Sequence, residues 1–148
     1  EFGIGAAAED GSIYLTSSAR NIDENEIREI FERQSIEIKS RIGRFRKGKP
    51  LPEIQNRIVI MADDGIATGS TIVPAIKLCK ARRAARVVVA APVSGERYVP
   101  EIDDLADEVV IVEQPSEFYA VGQVYEDFHH LSDEEVIELL DDFERTHK

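Results

Sequence analysis

The stretch from Arg57 to Thr71, R-I-V-I-M-A-D-D-G-I-A-T-G-S-T, narrows the possible folds more than any other part of this chain. An apolar run, Ile58 to Ala62, is stopped by two adjacent carboxylates, Asp63 and Asp64, and a loop of small residues and hydroxyls then leads into a helical pattern. A short run rich in Val and Ile, halted abruptly by charge and Gly, predicts a strand buried on both faces of a parallel sheet. In open α/β sheets, ligands bind at the carboxyl ends of the strands. A small-residue loop there lets backbone N–H groups close around a phosphate at a helix N-terminus.

The rest of the chain supplies the other layers. Phe2 to Ala8 and Ser12 to Thr16 read as two extended segments joined by a hairpin-type turn at Glu9-Asp10-Gly11, since Asp-Gly offers the positive φ such turns need. Asn21 or Asp23 can cap a helix with Ile27, Ile30, Phe31, Ile38, Ile42 and Phe45 on its packing face. It runs into a basic cluster, Lys39, Arg41, Arg44, Arg46, Lys47 and Lys49, and a linker marked by Gly48, Pro50 and Pro52. The cluster reads as a solvated helix end complementing the macrodipole, or as a cationic segment that approaches a pyrophosphate.

A helix from Thr71 to Ala81 tolerates Pro74 only near its first turn and carries Cys79 as a small core residue. Arg86 to Pro92 predicts a second fully buried strand, a helix follows around Glu96 to Ala106, and Glu108 to Val112 predicts a third strand. This rhythm implies crossovers and a mostly parallel sheet flanked by helices. The aromatic segment from Phe118 to Phe128 either covers a planar ligand or plugs the end of the sheet. Ser132-Asp133-Glu134-Glu135 is a capping box for a helix through Glu144, with Val136, Leu139, Leu140 and Phe143 as its packing face. His129 and His130, adjacent rather than four apart, lack metal-site spacing and read as surface residues.

With 148 residues, 43% hydrophobic and 32% charged, the chain suits one domain, residues 1–148, with a single core. A formal charge of -11 argues against a protein whose whole surface grips nucleic acid. The lone cysteine excludes an internal disulfide framework and fits a reducing, cytoplasmic setting. No apolar run approaches the roughly 18 to 20 residues that span a bilayer, so no membrane partner is expected.

Thr68, Ser70 and Thr71 offer hydroxyls, and with Gly69 a run of N–H groups, at the start of a helix. That arrangement suits a phosphate monoester. The helix dipole supplies about 0.3–1 kcal/mol, so most of the affinity must come from hydrogen bonds. Asp63 and Asp64 would repel the phosphate and are better used as acceptors for vicinal hydroxyls or as partners of a divalent cation. Phosphate plus diol describes a ribose 5-phosphate. No lysine follows the last glycine of the loop, as a Walker loop requires, and the three-glycine dinucleotide fingerprint is absent.

Val59 to Thr71, an apolar strand, two acids, a small loop and Thr-Gly-x-Thr, closely resembles the phosphoribosyl pyrophosphate motif of the type I phosphoribosyltransferases. The likeness extends to Glu1-Phe2-Gly3-Ile4-Gly5-Ala6, to the long charged helix and to Phe118 through Asp127, and points to a poorly characterised bacterial and archaeal subgroup. It implies a Rossmann-like α/β fold and transfer of ribose 5-phosphate from phosphoribosyl pyrophosphate to a nitrogen base, with magnesium as the cation and pyrophosphate released. Asp63 and Asp64 would face the ribose 2′- and 3′-hydroxyls and serve as the catalytic carboxylates, with a share in holding magnesium. Ala67, Thr68, Gly69, Ser70 and Thr71 would cradle the 5′-phosphate. Tyr119, ahead of Ala120-Val121-Gly122, would stack on the base, and Glu126 or Asp127 would assist the metal.

The resemblance also carries two departures. Hypoxanthine-guanine members place a third acid where this chain has Ala67, so that specificity is not implied. Family members also begin with strand and helix segments bearing a pyrophosphate loop, so the chain is expected to be N-terminally incomplete, the C-terminal larger part of the family domain, and to act as a homo-oligomer. The alternatives are a non-catalytic module that binds phosphoribosyl pyrophosphate or a nucleotide monophosphate, and a truncated remnant.

Overall fold

In a computed structural model of the chain, residues 4–96, 98 and 100–146 are described. The elements in order are β1 (Gly5–Ala7), β2 (Ile13–Leu15), a 3-10 turn (Ser17–Asn21), α1 (Glu24–Phe45), β3 (Ile58–Ala62) and α2 (Ile72–Ala81). They continue with β4 (Arg86–Val93), α3 (Glu101–Leu105), β5 (Glu108–Glu113), a second 3-10 turn (Val121–Val124) and α4 (Asp133–Thr146). β3, β4 and β5 form a parallel sheet with β4 in the centre, Val59 beside Val87 and Val89 beside Val109. The fold is thus α/β with a parallel sheet and flanking helices, as the alternation implied.

One face of this sheet is the core. Val87 and Val89 are fully buried with Val73 and Ile76 of α2 and Ile102 of α3, and Val93 is fully buried beside Gly65. Cys79 belongs to the same core, and burial pushes its thiol above the ordinary range, which keeps it inert. The expectation that β3 and β4 are buried on both faces is not met. β3 alternates, with Ile58 and Ile60 65% and 67% exposed, and β5 leaves Val112 77% exposed. Side chains alternate across a strand, so helices packed on one side bury only every second residue. The continuous apolar run therefore marks an open hydrophobic face beside the buried one.

The N-terminal hairpin forms as read, with β1 antiparallel to β2 and Gly11 at a φ of 84° in its turn; Phe2 and Gly3 lie outside the described residues. Asp23 caps α1 by accepting from the Asn25 N–H at 2.9 Å. Of the stripe proposed for α1, only Phe31 is buried.

The basic end of α1 is neither free nor aimed at a ligand. Lys47 pairs with Asp141 at 2.6 Å, Lys49 with Glu144 at 3.2 Å and Arg44 with Asp133, which ties α4 alongside α1. Arg46 meets Glu9 of the hairpin turn at 2.5 Å. Around α4 the capping box is present, with Ser132 N–H donating to Glu135 at 2.7 Å and Glu135 N–H donating to Ser132 Oγ at 3.2 Å. Of its proposed packing face Val136 is half-buried, while Leu139, Leu140 and Phe143 stay largely exposed. α3 is shorter than expected: it begins at Glu101, neither Glu96 nor Tyr98 is helical, and residues 97 and 99 lie outside the described residues. Among the described residues no helix is long and apolar enough to cross a membrane.

Candidate functional site

The site begins where β3 stops. Asp63 N–H still reaches the Ala90 carbonyl at 3.1 Å, but the strand itself ends at Ala62. Two consecutive strand residues would face opposite sides. Because the strand has ended, both Asp63 and Asp64 line one cleft. Ile66 then returns to the sheet: its N–H donates to Val93 O at 2.9 Å and its carbonyl accepts from Gly95 N–H at 3.2 Å, forming a parallel bridge with Ser94. Held at Asp63 and again at Ile66, the loop is organised before any ligand arrives.

From Thr68 the loop turns into α2. Gly69 has a φ of 76°, which disfavours L side chains, and a Cβ there would lie 2.3 Å from Ile102 Cδ1. Thr68 Oγ1 and Ser70 Oγ are 3.2 Å apart. No side chain caps α2 at Thr71, but its first turn has few donors to spare, since Ile72 N–H donates to the Gly69 carbonyl at 3.0 Å and Pro74 has no N–H.

The opposite wall is the irregular segment after β5. Gln123 organises it by accepting from Tyr119 N–H at 2.7 Å and Ala120 N–H at 3.2 Å while donating to the Glu117 carbonyl at 2.5 Å. Val121 presses on Gly65, where a Cβ would sit 2.5 Å from Val121 Cγ1. Tyr125 OH donates to the Asp64 carbonyl at 2.6 Å, which links this wall to the acidic pair. Tyr125 and Phe128 rings lie 5.1 Å apart, and Phe128 and His130 rings 6.4 Å apart. Tyr119 leaves its ring 85% exposed.

Between the walls lies a cleft of about 630 Å³, a size that suits a small metabolite. The structure brings Asp63, Asp64, Ala67, Thr68, Gly69, Ser70, Thr71 and Tyr119 together around it. Glu126 is exposed and does not line the cleft, and no cluster of three or more metal-ligating side chains occurs among the described residues. Burial pushes the Asp63 carboxyl above its usual range; the neighbouring Asp64 adds to the rise, and the hydrogen bond from Gly65 N–H opposes it. No Lys or Arg lines the cleft among the described residues.

Outside the Val59–Thr71 motif and the Phe118–Phe128 segment, the described lining adds Gly5 of β1, Ile72 of α2 and His130. Gly5 arrives from a distant hairpin, which periodicity does not reveal. Phe128 falls three residues after Tyr125, a spacing that would have grouped the two rings had the segment been recognised as turn-like.

A parallel sheet with a small-residue loop at the carboxyl end of one strand, faced by an aromatic segment across a cleft, defines an α/β domain with its cleft at the carboxyl end of the sheet. Residues 12–129 match the phosphoribosyl transferase domain family, and the chain belongs to that family. Two curated relatives from Mycobacterium tuberculosis, strains CDC 1551 and H37Rv, carry the name "Putative phosphoribosyl transferase" and are each 36% identical over 151 residues, covering all of this chain. The chain spans 33% of the length of each of these relatives. The crystal structure of TT1426 from Thermus thermophilus superposes with a TM-score of 0.75 at 34% identity, over 94% of this chain and 67% of that one.

Proposed function

We propose that this chain binds phosphoribosyl pyrophosphate and transfers its ribose 5-phosphate to a nitrogen base, releasing pyrophosphate. The observation that carries the reading is that one cleft holds both carboxylates and the hydroxyl-rich helix start, the two features that a ribose diol and a 5′-phosphate need. Ala67 to Thr71 receive the phosphate through N–H and hydroxyl donors. Asp63 and Asp64 accept from the ribose hydroxyls and stabilise the positive charge that develops on the ribosyl carbon as its bond to pyrophosphate breaks. Tyr119 offers an exposed ring for stacking on the base.

Asp63 and Asp64 also suit magnesium, because a nearby cation offsets the burial that holds the Asp63 proton. When bound, magnesium supplies charge neutralisation for the pyrophosphate. Residues 1–148 form one unit of this function, and the activity of the longer relatives is not transferred to it.

A second reading has its own observation. The absence of Lys and Arg from the described lining leaves a pyrophosphate without a cationic partner, which favours a module that binds ribose 5-phosphate or a nucleotide monophosphate without turning it over. Pyrophosphate release measured with a nucleobase panel decides between them. Turnover that falls at least 100-fold in Asp63→Asn with Asp64→Asn supports the transferase. Thermal stabilisation by nucleotide monophosphate with no turnover across the panel supports the module.

A further inference from the structure

Transfer to a ring nitrogen creates a proton problem. The lone pair of the acceptor nitrogen forms the bond to the ribosyl carbon while the carbon–oxygen bond to pyrophosphate breaks and its electron pair leaves with pyrophosphate. A nitrogen that still carries its hydrogen must then lose that proton. In the proposed function Asp63 and Asp64 are engaged with the ribose. Among the other described residues lining the cleft, the only side chains with an acid–base group are Tyr119 and His130, the rest being glycine, aliphatic, hydroxyl or phenylalanine.

We infer that His130 is the proton acceptor for the attacking nitrogen of the base, an inference that rests on the transferase reading above. In the neutral imidazole one ring nitrogen carries a lone pair, which takes the proton as the nitrogen–carbon bond forms; the imidazolium then releases it to solvent. His130 lines the same cleft as Tyr119, the residue assigned to the base, and its ring meets that of Phe128 at the end of the same segment.

Its position is supported by neighbours. Phe128 contacts the His130 ring, packs on Tyr125, and closes so tightly on Gly122 that a Cβ there would lie 2.7 Å from Phe128 Cδ1. Tyr125 in turn holds the Asp64 carbonyl, so a chain of contacts runs from the acidic pair to the imidazole. The adjacent His129 is different: its Nδ1 lies 3.4 Å from Asp127 and it does not line the cleft. The described titratable groups near His130 are Asp63, Asp64 and Tyr119 on the cleft, Tyr125 on its own segment, and Glu126, Asp127, His129, Asp133, Glu134 and Glu135 close by in the chain.

The test uses the natural protein carrying these residues, with magnesium, phosphoribosyl pyrophosphate and adenine, guanine, hypoxanthine or uracil as acceptor, and reads pyrophosphate release from pH 5 to 9. The wild type should lose kcat/KM on the acid side. His130→Gln should lower kcat by about 100-fold and remove that acid limb, with thermal stabilisation by phosphoribosyl pyrophosphate unchanged, and added imidazole should restore part of the rate to His130→Ala. His129→Gln should behave as wild type. An active wild type whose rate and pH profile survive in His130→Gln overturns the inference and leaves the transferase reading intact. A wild type that neither turns over any of the four bases nor is stabilised by phosphoribosyl pyrophosphate overturns both.

Discussion

Asp63 is a carboxyl placed where its charge is disfavoured until something arrives to use it. Burial raises its pKa in the folded chain, so the folded state holds the proton more tightly than the unfolded state does. The stabilising contribution of that proton is complete below the unfolded pKa and is lost as pH rises through the folded one. At neutral pH the ionised group therefore weakens the unliganded fold. Asp63→Asn keeps an oxygen to accept from Gly65 N–H, which Asp63 now does at 3.3 Å. This variant should raise the Tm of the unliganded protein at pH 7.5, and the gain should vanish in melts at pH 3, while binding of phosphoribosyl pyrophosphate is lost. A Tm below wild type at pH 7.5 would contradict the assignment.

At the scale of elements, α4 is held by charge more than by packing. Its partners Arg44, Lys47 and Lys49 lie at the end of α1 in exposed ion pairs, each worth roughly 0–1 kcal/mol and screened by salt. Hydrogen exchange should therefore show the amides of α4 losing protection between 0.05 and about 1 M NaCl, while those of β4 keep theirs.

The elements also show what the residues disclosed in advance. That Ala67 to Thr71 and the Asp pair meet at the end of β3, and that Ser132 caps a helix, were legible because each depends on a few neighbouring side chains and a turn. The pairing of Lys47 with Asp141 was not, since it joins positions 94 apart. Nor was the open side of the sheet, because Ile58 and Ile60 look the same in sequence whether a helix covers them or not. Position 130 was legible only in part, for a related reason. His130 is exposed, as its place in a loop beside His129 implied, and only the fold shows the cleft beside it.

For the molecule as a whole, the sheet's uncovered face is the dominant physical liability. Ile58 and Ile60 of β3 and Val110 and Val112 of β5 are exposed on either side of the half-buried Val88 and Ala90 of β4, an apolar patch of the kind that promotes association or aggregation. The chain by itself should bind a hydrophobic dye such as ANS while keeping a cooperative melt. Ile60→Thr with Val112→Thr should reduce that fluorescence at least twofold without lowering phosphate-ligand binding. Equal fluorescence in the double variant would place the dye elsewhere.

The contact between Gly69 and Ile102 reaches further than its size suggests. Because the tip of Ile102 fills the space where a side chain at 69 would go, positions 33 apart in the chain share one volume. Shrinking one cannot fully license growth of the other, since the backbone at 69 stays left-handed. Gly69→Ala should destabilise by about 1–2 kcal/mol, and adding Ile102→Val should relieve the crowding while the backbone penalty remains. In a lineage of such proteins the exchange would run as a ratchet: drift at 102 is reversible, whereas a lost glycine at 69 is not compensated from across the fold.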